Sequence, residues 1–147
     1  MTFKDSVRTV LREKYATIEG RAPRSEYWWF FLFYLLVSFA LGPVDLALFG
    51  DQTVSPLGTI FGVLVLIPFV TVGVRRLHDR DMSGWWYLLI LIPLVGSLAL
   101  AVIFMIPGTV GTNRFGPDPL GSSSGSDGDD TDLGLSQSSI PRVGRDD

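Results

Sequence analysis

The sequence predicts an all-α membrane protein: three transmembrane helices, preceded by an N-terminal amphipathic interfacial helix and followed by a disordered acidic C-terminal tail. Three observations carry that reading. Uncharged apolar stretches recur three times within 147 residues, Lys and Arg crowd one side of those stretches, and the composition changes abruptly near residue 118. Hydrophobic residues make up 47% of the chain against 18% charged, with a mean hydropathy of +0.34. The polar tail dilutes these averages, so membrane-like composition is concentrated in residues 1–119, the expected membrane domain. The charge divides in the same way. Residues 1–117 hold ten Lys or Arg against eight acids, whereas residues 118–147 hold two against seven. Cys is absent, which excludes disulfides and thiolate metal sites.

The first element is a helix over residues 2–19. Phe3, Val7, Val10, Leu11, Tyr15 and Ile18 recur at helical spacing, and Lys4, Arg8, Arg12 and Lys14 occupy the remaining face, a pattern suited to lying on an anionic leaflet. Thr2 followed by Asp5 reads as a helix start, with an acid at the positive end of the helix dipole. The first span covers about 27–49. It comes after 26 polar and mixed residues with no small-residue cleavage pattern, so it is expected to remain as an anchor. The second span, 57–74, is uncharged, and its 18 residues reach roughly 27 Å, near the lower limit for a hydrocarbon core of about 30 Å. The third stretch, 85–106, is also uncharged but contains Pro93 and Gly96. Two paths compete for it. One is a single span kinked near Pro93, with an external C-terminus. The other is a hairpin turned at Ile92–Gly96, whose arms of about ten residues reach only roughly half the core. A single span leaves no unsatisfied turn at mid-membrane, so three spans are expected. From 120 to 147 the chain is Gly, Ser and Asp with scattered Leu and Ile, too little apolar area to offset the entropy of ordering.

Orientation comes from the cations. Lys4, Arg8, Arg12, Lys14, Arg21 and Arg24 precede the first span, none lies between Phe49 and Leu57, and Arg75, Arg76 and Arg80 separate the second span from the third. The positive-inside rule therefore places the N-terminus and the second loop of a multi-pass cell-membrane protein in the cytoplasm. Trp28 and Trp29 open the first span and Trp85 and Trp86 the third, so all four Trp form one belt on that side.

Three segments bound the apolar stretches: GRAPRSEYWWFF at Gly20–Phe31, RRLHDRDMSGWW at Arg75–Trp86 and PGTVGTNRFGPDP at Pro107–Pro119. Their order and content resemble the signature segments of the domain of unknown function 805 (DUF805) family, the YhaH-like bacterial inner membrane proteins, over about residues 10–120. The resemblance implies a small polytopic membrane protein and brings no established activity, substrate or cofactor.

The first two segments enter the membrane from the same side, which groups Arg21, Arg24, Glu26, Trp28, Trp29, Arg75, Arg76, His78, Asp79, Trp85 and Trp86 as a candidate cytoplasmic interface. Glu26 or Asp79 is expected within ion-pair reach of Arg75 or Arg76, and such an interfacial pair, if exposed, contributes about 1 kcal/mol or less. The cluster has a purely topogenic reading, as orientation signals paired with acids. It has a functional one too, as a site for anionic headgroups or a protein partner through bidentate Arg contacts. A lone His78 beside Asp79 and Asp81 is a poor transition-metal site. Asp45 interrupts an apolar run near its outer end, where a carboxylate reaches water. Gly58 and Gly62 form a GxxxG that suits close helix packing. Asn113, Arg114 and Asp118 are candidates for closing a turn.

One His, no Cys and no phosphate loop provide no set of catalytic parts, so neither enzyme activity nor a cofactor is expected. The expected partners are membrane lipids, together with a second copy or another membrane protein, and no nucleic acid. A membrane interaction or scaffold protein is the leading function. A small transporter or channel subunit built on Pro-broken helices is the alternative, and a polar cavity between the spans would distinguish it.

Overall fold

A computed structural model describes residues 1–51 and 53–121, and among these it is helical with no strand. The acidic tail expected from 120 onward lies, apart from Leu120 and Gly121, outside the described residues.

Helix α1 (Phe3–Arg8) starts at Thr2 through a capping box. The Thr2 hydroxyl accepts from the Asp5 amide at 3.3 Å, and the Asp5 carboxylate accepts from the Thr2 amide at 3.1 Å. The Thr2 hydroxyl also donates to that carboxylate at 2.6 Å, which holds the Asp5 pKa below its ordinary value. The helix continues as a π-helical turn, Thr9–Glu13, and stops there, short of the expected residue 19. Residues 14–23 continue as a non-helical strap that crosses the helix containing Pro68. The apolar face of the N-terminal helix does not lie free: Phe3 packs edge-on against Trp29 at 5.9 Å, and Val10 is fully buried.

Helices α2 (Arg24–Phe49) and α3 (Pro56–Asp79) are both long and apolar enough to cross a membrane. At about 1.5 Å per residue they run roughly 39 and 36 Å. Aromatic side chains hold them together. Tyr34 lies 5.6 Å from Phe69 and 5.8 Å from Phe61, and Tyr27 and Phe30 reach Phe69 at 6.0 and 6.1 Å. At the far end the Asp45 carboxylate is buried and accepts from the amides of Leu57 and Gly58, at 2.9 and 3.0 Å. It thus caps the start of α3 from the neighbouring helix, where its charge also meets the positive end of the dipole. The expectation that Asp45 turns to water is corrected: capping has drawn it inward. Gly58 leaves room for this carboxylate and for Ser55, while a Cβ at Gly62 would meet nothing within 4 Å. Of the GxxxG pair, therefore, only Gly58 lies at a helix contact among the described residues.

Pro68 interrupts the α3 ladder because it has no N–H to offer the carbonyl of Leu64. The strap supplies the missing donor: the Tyr15 hydroxyl binds that carbonyl at 2.6 Å, and the Thr71 hydroxyl donates in turn to the Tyr15 carbonyl at 3.2 Å.

The third apolar stretch departs from the single kinked span. It forms a 3-10 helix, Gly84–Leu91, a turn in which Leu94 takes φ +62, and helix α4 (Val95–Met105). Both ends return to the same end of α3. A Cβ at Gly84 would press on Val74, and the Arg76 guanidinium binds the carbonyls of Phe104 and Ile106. The turn satisfies itself: Ile92 donates to Leu89 at 2.9 Å, Gly96 to Ile92 at 3.0 Å and Leu98 to Leu94 at 2.9 Å. That removes the objection to a turn in an apolar surrounding. Two glycines make the hairpin compact. A Cβ at Gly96 would overlap the Leu89 carbonyl, and one at Gly73 would overlap the Tyr87 ring.

Candidate functional site

Where α2 begins, α3 ends and α4 ends, the three polar segments meet. The ordinary end of a helix leaves its last carbonyls without partners, and here guanidinium groups take them up. Arg76 reaches the Phe104 carbonyl through Nε and Nη2, both at 3.2 Å, and also the Ile106 carbonyl. Arg24 donates to Met105 at 3.3 Å and Arg80 to Pro107 at 2.7 Å. Three cations around a helix C-terminus also complement its dipole.

Asp79 is the hub. Its carboxylate is buried, accepts from Arg21 Nε at 3.0 Å and pairs with Arg76. Its backbone carbonyl accepts from the Thr109 amide at 2.8 Å and the Thr109 hydroxyl at 3.2 Å. The remaining donors of Arg21 go to the carbonyls of Thr109 and Gly111, the latter at 2.6 Å. Gly108 must be glycine for this approach, since a Cβ there would overlap the Asp79 carboxylate. Beside the hub, Arg75 Nη1 lies 2.6 Å from Glu26 Oε1 with both side chains buried. The Arg75 guanidinium makes no hydrogen bond among the described residues, so charge holds this pair.

The third segment closes around the hub. Asn113 and Gly116 exchange backbone bonds of 3.1 Å, and the Asn113 side-chain amide donates to the carbonyl of His78 at 2.9 Å. Asp118 accepts from the amides of Gly111 and Leu120. The His78 ring stacks on Phe115 at 3.9 Å, and its Nδ1 donates to the Gly20 carbonyl at 3.3 Å. Arg114 pairs with Asp81 at 3.1 Å on the surface.

The grouped residues thus divide into two sets. Arg21, Glu26, Arg75, Arg76, His78 and Asp79 turn inward and are buried. Arg24, Trp29, Trp85 and Trp86 are exposed, and Trp28 is half-buried against Tyr27. The inward set corrects the exposed surface expected for these cations: Asp79 and the carbonyls of residues 104–111 take up the donors of Arg21 and Arg76, and Arg75 is buried against Glu26. Sequence reasoning missed Gly108 and Thr109 as members of the network. The available signal was an excess of Arg over acid, which in a buried setting calls for carbonyl acceptors.

A helical bundle with two membrane-capable helices, tied at one end by a buried Arg–carboxylate knot, defines the class: an α-helical membrane protein. The chain belongs to the family described as "Protein of unknown function (DUF805)", which it matches over residues 15–117. It is 47% identical over 110 residues to "Inner membrane protein YhaH" of Escherichia coli (strain K12), an alignment covering 73% of this chain and 90% of that protein. With "Inner membrane protein YhaI" of the same strain it shares 37% identity over 107 residues, covering 73% and 89%. No solved structure matches the chain.

Proposed function

We propose that this chain is a non-catalytic, multi-pass membrane interaction protein whose cytoplasmic rim of tryptophan and cation engages lipid headgroups. In this topology α2 and α3 cross the bilayer, the hairpin of the 3-10 helix and α4 dips in from the cytoplasmic side, and the N-terminus is cytoplasmic. The observation that carries the reading is the division of charge at the knot. Arg21, Arg75 and Arg76 are buried, with Glu26 and Asp79 as their ion-pair partners, while Lys4, Arg8, Arg12 and Arg24 remain exposed, as do Trp29, Trp85 and Trp86. Exposed Trp together with exposed cations suits the headgroup level of a membrane. The transporter alternative draws less support. The cavity of ≈ 180 Å³ between α2, α3 and the hairpin is walled by Tyr34, Val65, Leu66, Phe69 and Tyr87, with no ionisable carboxylate or cation to bind an ion.

Purification of the full chain in mild detergent, with bound lipids and proteins identified by mass spectrometry, tests the proposal. Stoichiometric phospholipid retention that falls when Lys4, Arg8 and Arg12 are replaced together by Gln is the expected result. Solute flux in proteoliposomes without such retention would favour the transporter instead.

A further inference from the structure

The two ends of the bundle differ in girth. From the knot, α2 and α3 run on for their full length, whereas the hairpin turns back much sooner. Phe104 lies 4.5 Å from Tyr27 in the opening turn of α2, and α4 leads from there to Val95, a rise of about 14 Å. The other arm descends α3. Gly84 sits against Val74, and Tyr87 shares a cavity wall with Leu66 and Gly62. At about 2.0 Å per residue the 3-10 helix covers roughly 16 Å. Both arms therefore end near the middle of a hydrocarbon core about 30 Å thick. No charged residue falls between Met82 and Asn113, and at the tip Leu91, Leu94 and Val95 are 75%, 76% and 71% exposed. Acyl chains cover such a surface without the cost that water would impose.

One leaflet thus meets four helical segments and the other meets two. A helix with its side chains is about 10 Å across, so the hairpin adds roughly 160 Å² of cross-section to the knot-side leaflet and nothing to the opposite one. The same end is widened again at headgroup level, where Phe3 packs on Trp29 and the Ala22 amide binds the Arg75 carbonyl. A wedge must also be stiff to act on a bilayer. Arg76 clamps the end of α4, and the glycines at 73 and 96 let ring and backbone interlock within the hairpin and against α3. We propose that this fold is a one-leaflet wedge that senses membrane curvature, favouring bilayer that bulges towards the knot. On such a bilayer the headgroups of the knot-side leaflet are spread apart, and the inserted hairpin fills area where acyl chains would otherwise meet water. The proposal goes beyond headgroup binding. It rests on the topology proposed above, with α2 and α3 crossing and the hairpin returning, and on no headgroup contact.

The test uses the full chain in giant phosphatidylcholine vesicles from which membrane tubes are pulled outward. Because the chain has no Cys, Val110→Cys, at an exposed position on the knot side, takes a single dye. An impermeant fluorescent maleimide marks only the knot-outward copies. Blocking those with an impermeant colourless reagent, then adding a permeant dye, marks the knot-inward copies. Relative to a fluorescent lipid, knot-outward copies should be enriched on the tube and knot-inward copies depleted, and both effects should grow as the tube narrows. Trimming the wedge with Leu98→Ala and Val102→Ala, both lipid-facing, should shrink the difference between orientations. Trimming the far half with Phe39→Ala and Ile60→Ala, also lipid-facing, should enlarge it. An unchanged thermal midpoint shows that each variant is folded. Equal tube density for the two orientations, or the same response to trimming at both ends, overturns the wedge while leaving headgroup binding standing. Labelling of Lys4→Cys and Val110→Cys from opposite sides of the vesicle overturns the topology on which the wedge rests.

Discussion

Asp79 ties Arg21 on the strap to Arg76 on its own helix, and both guanidinium groups are buried. Removing a buried partner leaves a charge without compensation, which costs about 3–5 kcal/mol, whereas an exposed pair contributes about 1 kcal/mol or less. Asp79→Asn is therefore expected to lower the thermal midpoint of the detergent-solubilised protein far more than Arg114→Ala, which breaks only the exposed pair with Asp81. Equal shifts in a thermal-unfolding assay would contradict the burial of the hub. At this scale the sequence was half legible. The pairing of Arg with Glu26 and Asp79 comes from their shared membrane level. The burial does not, because it depends on carbonyls 28 and 90 residues away, at Phe104 and Gly111, that composition cannot place.

Helix starts were readable where the chemistry is local. Thr2 and Asp5 form the expected cap, while Asp45 caps α3 from another helix, a role that requires knowing how α2 and α3 pack. Proline shows the same contrast. Pro68 and Pro93 both signal a break in the ladder, yet the first leaves α3 continuous because Tyr15 supplies the lost donor, and the second falls at a reversal of the chain. Tyr15→Phe should leave the Leu64 carbonyl unsatisfied in an apolar surrounding, at about 1–3 kcal/mol, seen as a lower thermal midpoint with the fold retained. The glycines give a sharper comparison. The sequence motif points to Gly62, which meets open space, whereas Gly96 touches the Leu89 backbone. Gly96→Ala is expected to destabilise the protein clearly and Gly62→Ala to change little. The reverse order, measured on the same apparatus, would argue against the hairpin.

For the whole molecule, the membrane class and the family were legible in the three apolar stretches and the segments at their edges. The path of the third stretch was not, since length alone favoured a through-going helix and only the carbonyl-binding Arg residues reveal its return. With an even number of crossings, the proposed topology puts Asn113–Pro119 on the same side as the N-terminus. A reporter joined after Gly121 should then be active if it requires the cytoplasm and silent if it requires the exterior, and the opposite pattern would restore the three-span path. The knot also has a consequence for biosynthesis. Arg21 waits for acceptors that are made 88 and 90 residues later, at Thr109 and Gly111. While the ribosome is still extending the chain, α2 and α3 can enter the bilayer, but Arg21 and Arg76 remain without the partners that close the structure. Completion of the third segment therefore supplies the last acceptors of the knot, and a chain ending before Thr109 lacks the carbonyls that Arg21 binds at Thr109 and Gly111.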